Sequence, residues 1–296
     1  MKKRVLVTGG LGFIGSHMVD LLLSENSLNG AQFEVTVMDN LSSESSTRSN
    51  MREGVEYWID DIQNINTYKY ADGKFNTVFH IAGFSRIQPS FTDPLTCLST
   101  NVHGTANVLE YARRLGANVV YAGSSSAYAG PMLNPYAYAK YTGEQLCEMY
   151  SSVYSMNTAV ARFFNVYGVR QPIVGPYATV VGIFERQKAV GAPLTVTGDG
   201  EQRRDFTHVS DIVRGLYALS QGDHRGEVYN LGTGRNHSIN ELAKLFNPNE
   251  ITYIPARPGE ARVTLADISK TSAETGWSPR TRLEDYVSGF LRDLKQ

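Results

Sequence analysis

Tyr136 and Lys140 stand four residues apart in Tyr136-Ala137-Tyr138-Ala139-Lys140, inside a stretch that predicts a helix over 135–154. A pair with this spacing shares one helix face. An ammonium beside a phenol favours the phenolate and lowers a pKa that is normally about 10, which yields a group able to move protons near neutral pH. Just upstream, Gly123-Ser124-Ser125-Ser126 closes a predicted strand, so its hydroxyls emerge at the same sheet edge. A second constellation lies near the start, in Thr8-Gly9-Gly10-Leu11-Gly12-Phe13-Ile14-Gly15-Ser16-His17. It contains both Gly10-x-Gly12-x-x-Gly15 and Gly9-x-x-Gly12-x-x-Gly15. Glycines in this pattern permit a tight turn and close approach of backbone to a pyrophosphate, and the helix that follows offers its N–H groups. Asp39, at the end of the next strand, is placed to accept hydrogen bonds from an adenosine ribose and to repel a 2′-phosphate, which favours NAD over NADP.

The elements that must hold these groups follow from hydrophobic period. Residues 4–7 read as a strand, 13–23 as a helix and 33–38 as a strand, a βαβ unit whose crossover implies a parallel sheet. The alternation continues with strands at 77–81, 118–122 and 158–162 and helices at 94–115 and 135–154. Such a series predicts an α/β doubly wound parallel sheet with ligands at the carboxyl ends of its strands. Regular alternation stops where Gly168, Pro172, Gly175 and Pro176 crowd together, so the chain divides into a dinucleotide-binding domain over 1–167 and a smaller C-terminal α/β substrate domain over 168–296. In the latter, helices are expected near 179–190, 209–220 and 283–294, and a strand at 228–231 that can rejoin the first sheet. Ser42 to Asn50 reads as a solvated loop.

Composition narrows the function classes. Lys and Arg number 28 against 29 Asp and Glu, so there is no overall basic field to hold nucleic acid. The apolar run at the start ends at Thr8-Gly9-Gly10, too short for a signal sequence or a membrane span, which points to a cytoplasmic protein. Two cysteines, Cys97 and Cys147, make no disulfide framework, and the six histidines lack metal-ligand spacing. No metal is expected. Ser124 to Ser126 form no hydrolase elbow, since Ala127 stands where that turn needs glycine. His80 and His208 read as structural histidines and Cys147 as a packing thiol.

Together these motifs resemble an extended short-chain dehydrogenase/reductase of the NAD-dependent sugar-nucleotide epimerase/dehydratase family, over nearly the whole chain. The resemblance implies a Rossmann-type domain in which Gly9, Gly12, Phe13, Ile14 and Gly15 cradle the NAD pyrophosphate and Asp39 and Asn40 hold the adenosine ribose. It places Asp61 and Ile62 at the adenine, with Ile81, Ala82, Gly83, Asn101, Ser124 and Phe163 beside the cofactor. It makes Ser126 the catalytic hydroxyl, Tyr136 the base and Lys140 the ligand of the nicotinamide ribose. Asn165, Arg204, Arg257 and Thr264 are expected on the nucleotide sugar, the two arginines on its diphosphate, where forked, permanently charged donors match phosphate oxygens. Thr264 is small where relatives restricted to plain hexoses can carry tyrosine, which leaves room for an N-acetylated sugar.

Two departures from the family pattern matter. Only Ala127 to Pro135 separate the serines from the tyrosine motif, a loop shorter than usual and a more open site. Ser126-Ala127-Tyr128 stands where dehydrating members carry Thr-Asp-Glu, which disfavours 4,6-dehydration. The resemblance then implies a UDP-hexose 4-epimerase working through a 4-keto sugar, with oxidative decarboxylation of a UDP-glucuronate as an alternative. An NAD-binding sensor without turnover is a further alternative, although such a protein would be expected to lack Tyr136 or Lys140. The helices at 94–115 and 135–154 resemble a pair that forms a four-helix homodimer interface.

Overall fold

A computed structural model describes residues 2–28, 33–70 and 73–295. Six strands, β1 (Lys3–Thr8), β2 (Phe33–Asp39), β3 (Glu56–Ile59), β4 (Thr77–His80), β5 (Asn118–Ser124) and β6 (Thr158–Phe163), join the strand Val228–Leu231 in one parallel sheet. Its order is Val228–Leu231, β6, β5, β4, β1, β2, β3. The chain winds outward from β1 through β2 to β3, then returns to β4 on the other side of β1, so the sheet reverses direction between β1 and β4. Ligands of such sheets collect in the crevice above that reversal.

Alternation of side chains along the strands feeds two cores. Val5, Val7, Val35 and Val37 point to one face, where α1 (Phe13–Leu28) and the helix Val209–Leu219 pack through Met18, Leu22, Ile212 and Leu216. Leu6, Met38 and Val78 point to the other, against Val108, Leu109, Ala112 and Cys147. Between β4 and β5 run α2 (Ile87–Thr92), α3 (Pro94–Leu98) and α4 (Gly104–Leu115). After β5 come a short α5 (Ser126–Ala129) and the long α6 (Pro135–Tyr154).

The single helix expected at 94–115 is in fact interrupted. A π-helical turn, Ser99–His103, separates α3 from α4. Gly104 sits so close to Ile62 that a Cβ there would meet the isoleucine Cδ1 at 2.5 Å. Such insertions often accompany functional sites, because the extra residue re-aims a side chain. Strand β3 escapes sequence reading, since Glu56-Tyr57-Trp58-Ile59 is a short edge strand with no run of buried alternation. The remaining chain builds a third core around the parallel pair Leu194–Thr197 and Ile251–Ile254, where Phe184, Leu242, Phe246 and Val287 from three helices meet.

Candidate active site

A cleft of about 710 Å³ opens above the sheet reversal. That is large enough for a dinucleotide's reactive half with a sugar beside it. One wall is the glycine turn between β1 and α1. Gly9 has φ +71°, and a Cβ there would lie 2.8 Å from the Ala82 backbone after β4. Gly15 closes the turn so tightly that a Cβ would collide with the Gly9 carbonyl oxygen. The Gly9 carbonyl accepts from Gly12 N at 3.2 Å, and the Gly12 carbonyl accepts from Ser16 N at 3.0 Å. This leaves the first N–H groups of α1 directed at the cleft, as a pyrophosphate requires.

Asp39 ends β2 with its carboxylate nearly buried. One oxygen accepts from Leu11 N, the other from Leu41 N and from the Ser46 hydroxyl, at 2.6–3.0 Å. A carboxylate offers about four acceptor positions, so one remains for a ribose hydroxyl. Asn40 donates to Asp61 at 2.7 Å and ties the loop after β2 to the one after β3. Phe13, Ile14, Ile62, Ile81, Ala82, Gly83 and Phe163 complete this end of the lining. The residues present therefore fit NAD.

Asn101 behaves differently. It is buried in the π-helical turn and does not line the cleft; its side-chain amide donates to the Phe84 carbonyl at 2.8 Å. Its Oδ1 has no partner among the described residues and would lie 2.8 Å from a Cβ on Gly83. Asn101 thus holds the segment after β4 from behind.

The proton-moving groups stand opposite the glycine turn. Asn134 caps α6 by accepting from Ala137 N at 2.8 Å, with Pro135 at the first helical position. Tyr136 therefore falls in the first turn, and its backbone N–H donates to Ser90 Oγ of α2. Lys140 is one turn on, its side chain buried. Its Nζ donates to the Ala122 carbonyl of β5 at 2.9 Å and lies 5.0 Å from the centre of the Tyr121 ring. Burial lowers the Lys140 pKa to about 8.

The structure departs from the sequence expectation in two respects. Burial raises the Tyr136 pKa above the ordinary phenol value, and the groups that pull it back are Ser124 and Arg86, with no resolved part for Lys140. The lysine is turned to the Ala122 carbonyl. Ser124 is the serine whose hydroxyl offsets that rise. Ser126 is one step behind, its hydroxyl donating to Ser124 Oγ at 3.0 Å. The physical reason is that β5 ends at Ser124 and the chain turns into α5 at Ser126, carrying that hydroxyl off the strand's edge.

Asn165, Arg204, Arg257 and Thr264 line the far end of the same cleft. Arg204 is largely buried, held by the carbonyls of Arg203 and Arg262 and by Glu260 at 3.3 Å. Arg257 is exposed. Thr264 is wedged in place, its hydroxyl facing Asp205 N at 3.4 Å and its carbonyl accepting from Asn236. Sequence reading passed over Arg86, Gln88 and Tyr177, which also line the cleft. Arg86 carries no motif, yet its place just beyond the β4 carboxyl end is the signal that locates ligand residues in such sheets. His80 is held in place as a structural residue. His80 bridges Thr8 and Thr105, and burial lowers its pKa to about 3, which keeps it neutral. Cys147 is buried, and burial pushes its thiol pKa up, so it stays an inert packing group.

A doubly wound sheet with a glycine turn at its reversal and a tyrosine, lysine and serine at the adjoining strand edge defines the short-chain dehydrogenase/reductase class. The chain belongs to the NAD-dependent epimerase/dehydratase family, whose sequence model matches residues 5–232. NAD is the cofactor of that family. A putative UDP-glucose 4-epimerase of Methanocaldococcus jannaschii is 32% identical over 98% of both chains. UDP-glucuronic acid decarboxylase 1 of Xenopus tropicalis is 31% identical over 100% of this chain and 73% of the relative. Among solved structures, UDP-glucose 4-epimerase of Thermotoga maritima with UDP-glucose superimposes with a TM-score of 0.90 at 31% identity, covering 99% of this chain and 100% of that one. No helix among the described residues is long and apolar enough to cross a membrane.

Proposed function

We propose that this enzyme is a UDP-sugar 4-epimerase. The observation that carries the reading is the meeting of Ser124, Tyr136 and Lys140 in the same cleft as the glycine turn. NAD, when bound, supplies reversible oxidation at C4 of the sugar. Tyr136 takes the C4 hydroxyl proton and later returns it, and Ser124 shares that hydrogen bond. Lys140 holds the nicotinamide ribose from its buried place on α6. Arg204 and Arg257 grip the diphosphate at the far end, so the sugar is free to turn about its link to the phosphate and present its other face. Asn165 contacts the sugar nucleotide, and Thr264, smaller than a tyrosine, leaves room for a substituent at C2.

The reading is tested by incubating the purified protein and NAD with UDP-, dTDP-, GDP- and ADP-sugars and resolving the products by chromatography. Interconversion of the gluco and galacto forms of a UDP-sugar, abolished by Tyr136→Phe with NAD binding retained, is the expected result. Recovery of every sugar unchanged, or turnover undiminished in Tyr136→Phe, overturns it.

A further inference from the structure

We propose that Arg86 is a specificity residue that receives a carboxylate on the sugar, so that the preferred substrate is a UDP-hexuronate. The inference rests on the 4-epimerase reading of this cleft and names its substrate class. Arg86 follows β4 and precedes α2, and its backbone has φ +96°, a region that side-chain-bearing residues rarely adopt. Backbone held in such a conformation at a cleft wall is commonly retained because of where it aims the side chain. The aim here is fixed by a hydrogen bond from Nε to the Tyr177 carbonyl at 3.0 Å. That bond uses one of five guanidinium donors. Among the described residues no group accepts from either Nη, and no carboxylate pairs with the charge.

Arg86 is half-buried on the cleft wall, so its Nη donors are open to the cleft and to an incoming anion. Burial lowers the Arg86 pKa, and the groups whose charge offsets this are Tyr136 and Glu260. Glu260 is already engaged by Arg204. Arg86 also heads α2, the helix whose Ser90 accepts from Tyr136 N, so its guanidinium and the phenol that must meet the C4 hydroxyl line the same cleft. On a hexose ring the carbon bearing C6 is the neighbour of C4, so a C6 carboxylate falls beside whatever touches the C4 oxygen. A planar fork of N–H donors suits a carboxylate bidentately. The diphosphate does not need this residue, because Arg204 and Arg257 serve the other end of the cleft. The roof over this corner is clasped as well: Gln88 donates to the Pro258 carbonyl and Asn134 to that of Gly259.

The test uses calorimetry on the NAD-loaded full chain with UDP, UDP-glucose and UDP-glucuronate. Wild type is expected to bind the uronate more than fivefold tighter than UDP-glucose. Arg86→Gln is expected to erase that margin while UDP and UDP-glucose bind within twofold of wild type, which also shows that the variant is folded. Arg86→Lys, which keeps a charge but not the fork, should retain part of the margin. A wild-type margin of fivefold or less, or one that survives in Arg86→Gln, overturns the proposal. So does a loss of UDP affinity in Arg86→Gln equal to the loss for the uronate, which would make Arg86 a diphosphate ligand. A protein that interconverts neutral UDP-sugars without a uronate margin loses this inference alone; one that binds no UDP compound loses the 4-epimerase reading with it.

Discussion

Ser124 and Ser126 differ by two positions in sequence and by a large step in chemistry. The Ser124 hydroxyl offsets the effect of burial on the Tyr136 phenol, and Ser126 donates to Ser124 Oγ. Ser124→Ala is therefore expected to lower kcat about 100-fold, in the lower range for loss of proton-transfer assistance, and Ser126→Ala by less than about tenfold. Steady-state rates on the working substrate decide it; the reverse order would restore Ser126 as the catalytic hydroxyl. Lys140 carries a second prediction. Its pKa is lowered by burial from 10.5 to about 8. Below pH 8 the ammonium is charged in folded and unfolded chains alike, and the fold bears the cost of burying it. Between about 8 and 10.5 the unfolded chain holds the extra proton, so this contribution to stability rises with pH through that window. Lys140→Met without cofactor should melt a few degrees above wild type at pH 7, with the gap closing toward pH 10, while NAD affinity falls at least tenfold. A lower melting point at pH 7 would show that the bond to Ala122 outweighs the desolvation. Tyr136 and Lys140 were legible in the sequence because helical spacing alone puts them on one face. Which of three consecutive serines meets the tyrosine was not, because the strand's alternation ends among them.

The glycine turn shows how far a short element can be read. Its glycines, the strand before it and the helix after it follow from local pattern, and the structure explains the demand by contact: Gly15 has the Gly9 carbonyl where a side chain would go. Gly15→Ala should therefore displace the turn, weaken NAD binding more than about 100-fold and lower the melting temperature. Gly54→Ala is the matched control. Gly54 has positive φ, at +76°, and a Cβ there meets nothing within 4 Å, so it should cost only the left-handed strain of about 1–2 kcal/mol and leave NAD affinity unchanged. Equal loss of NAD binding in both variants would show that general destabilisation, and not the turn, is responsible. Helix α6 was readable to the residue because its ends carry local signals, Asn134 with Pro135 at the start and Ser155 in the left-handed conformation at the end. The break between α3 and α4 carried no such signal. Just after it, Gly104 packs against Ile62, some forty residues away in the chain.

Long-range pairing also decided what could be foreseen of the assembled molecule. The strand Val228–Leu231 could be imagined back in the first sheet as a short run with Val228, Tyr229 and Leu231, and it does pair with β6. The pairing of Leu194–Thr197 with Ile251–Ile254 joins segments more than fifty residues apart and has no local mark. The outer surface of α6 bears on the last prediction. Ala139, Lys140, Gly143, Glu144, Cys147 and Ser151 form its buried face, with Glu144 pinned to Arg162 of β6 at 2.5 Å. The opposite stripe is Tyr138, Met149 and Val153, all exposed, and Leu95 of α3 is exposed as well. Apolar residues recurring at helical intervals on the outside of a helix are unlike the scattered apolar positions of an ordinary surface. A second copy of this chain is the occupant expected there, since a stripe on one helix can meet its own copy about a two-fold axis. Light scattering at micromolar concentration should give twice the 32.7 kDa chain mass, and Met149→Glu with Val153→Glu should return a single chain by placing four carboxylates in the interface. Because the same helix carries Tyr136 and Lys140 on its other face, the separated chain should also turn over more slowly while still binding NAD. A wild-type mass of one chain at that concentration would overturn the dimer.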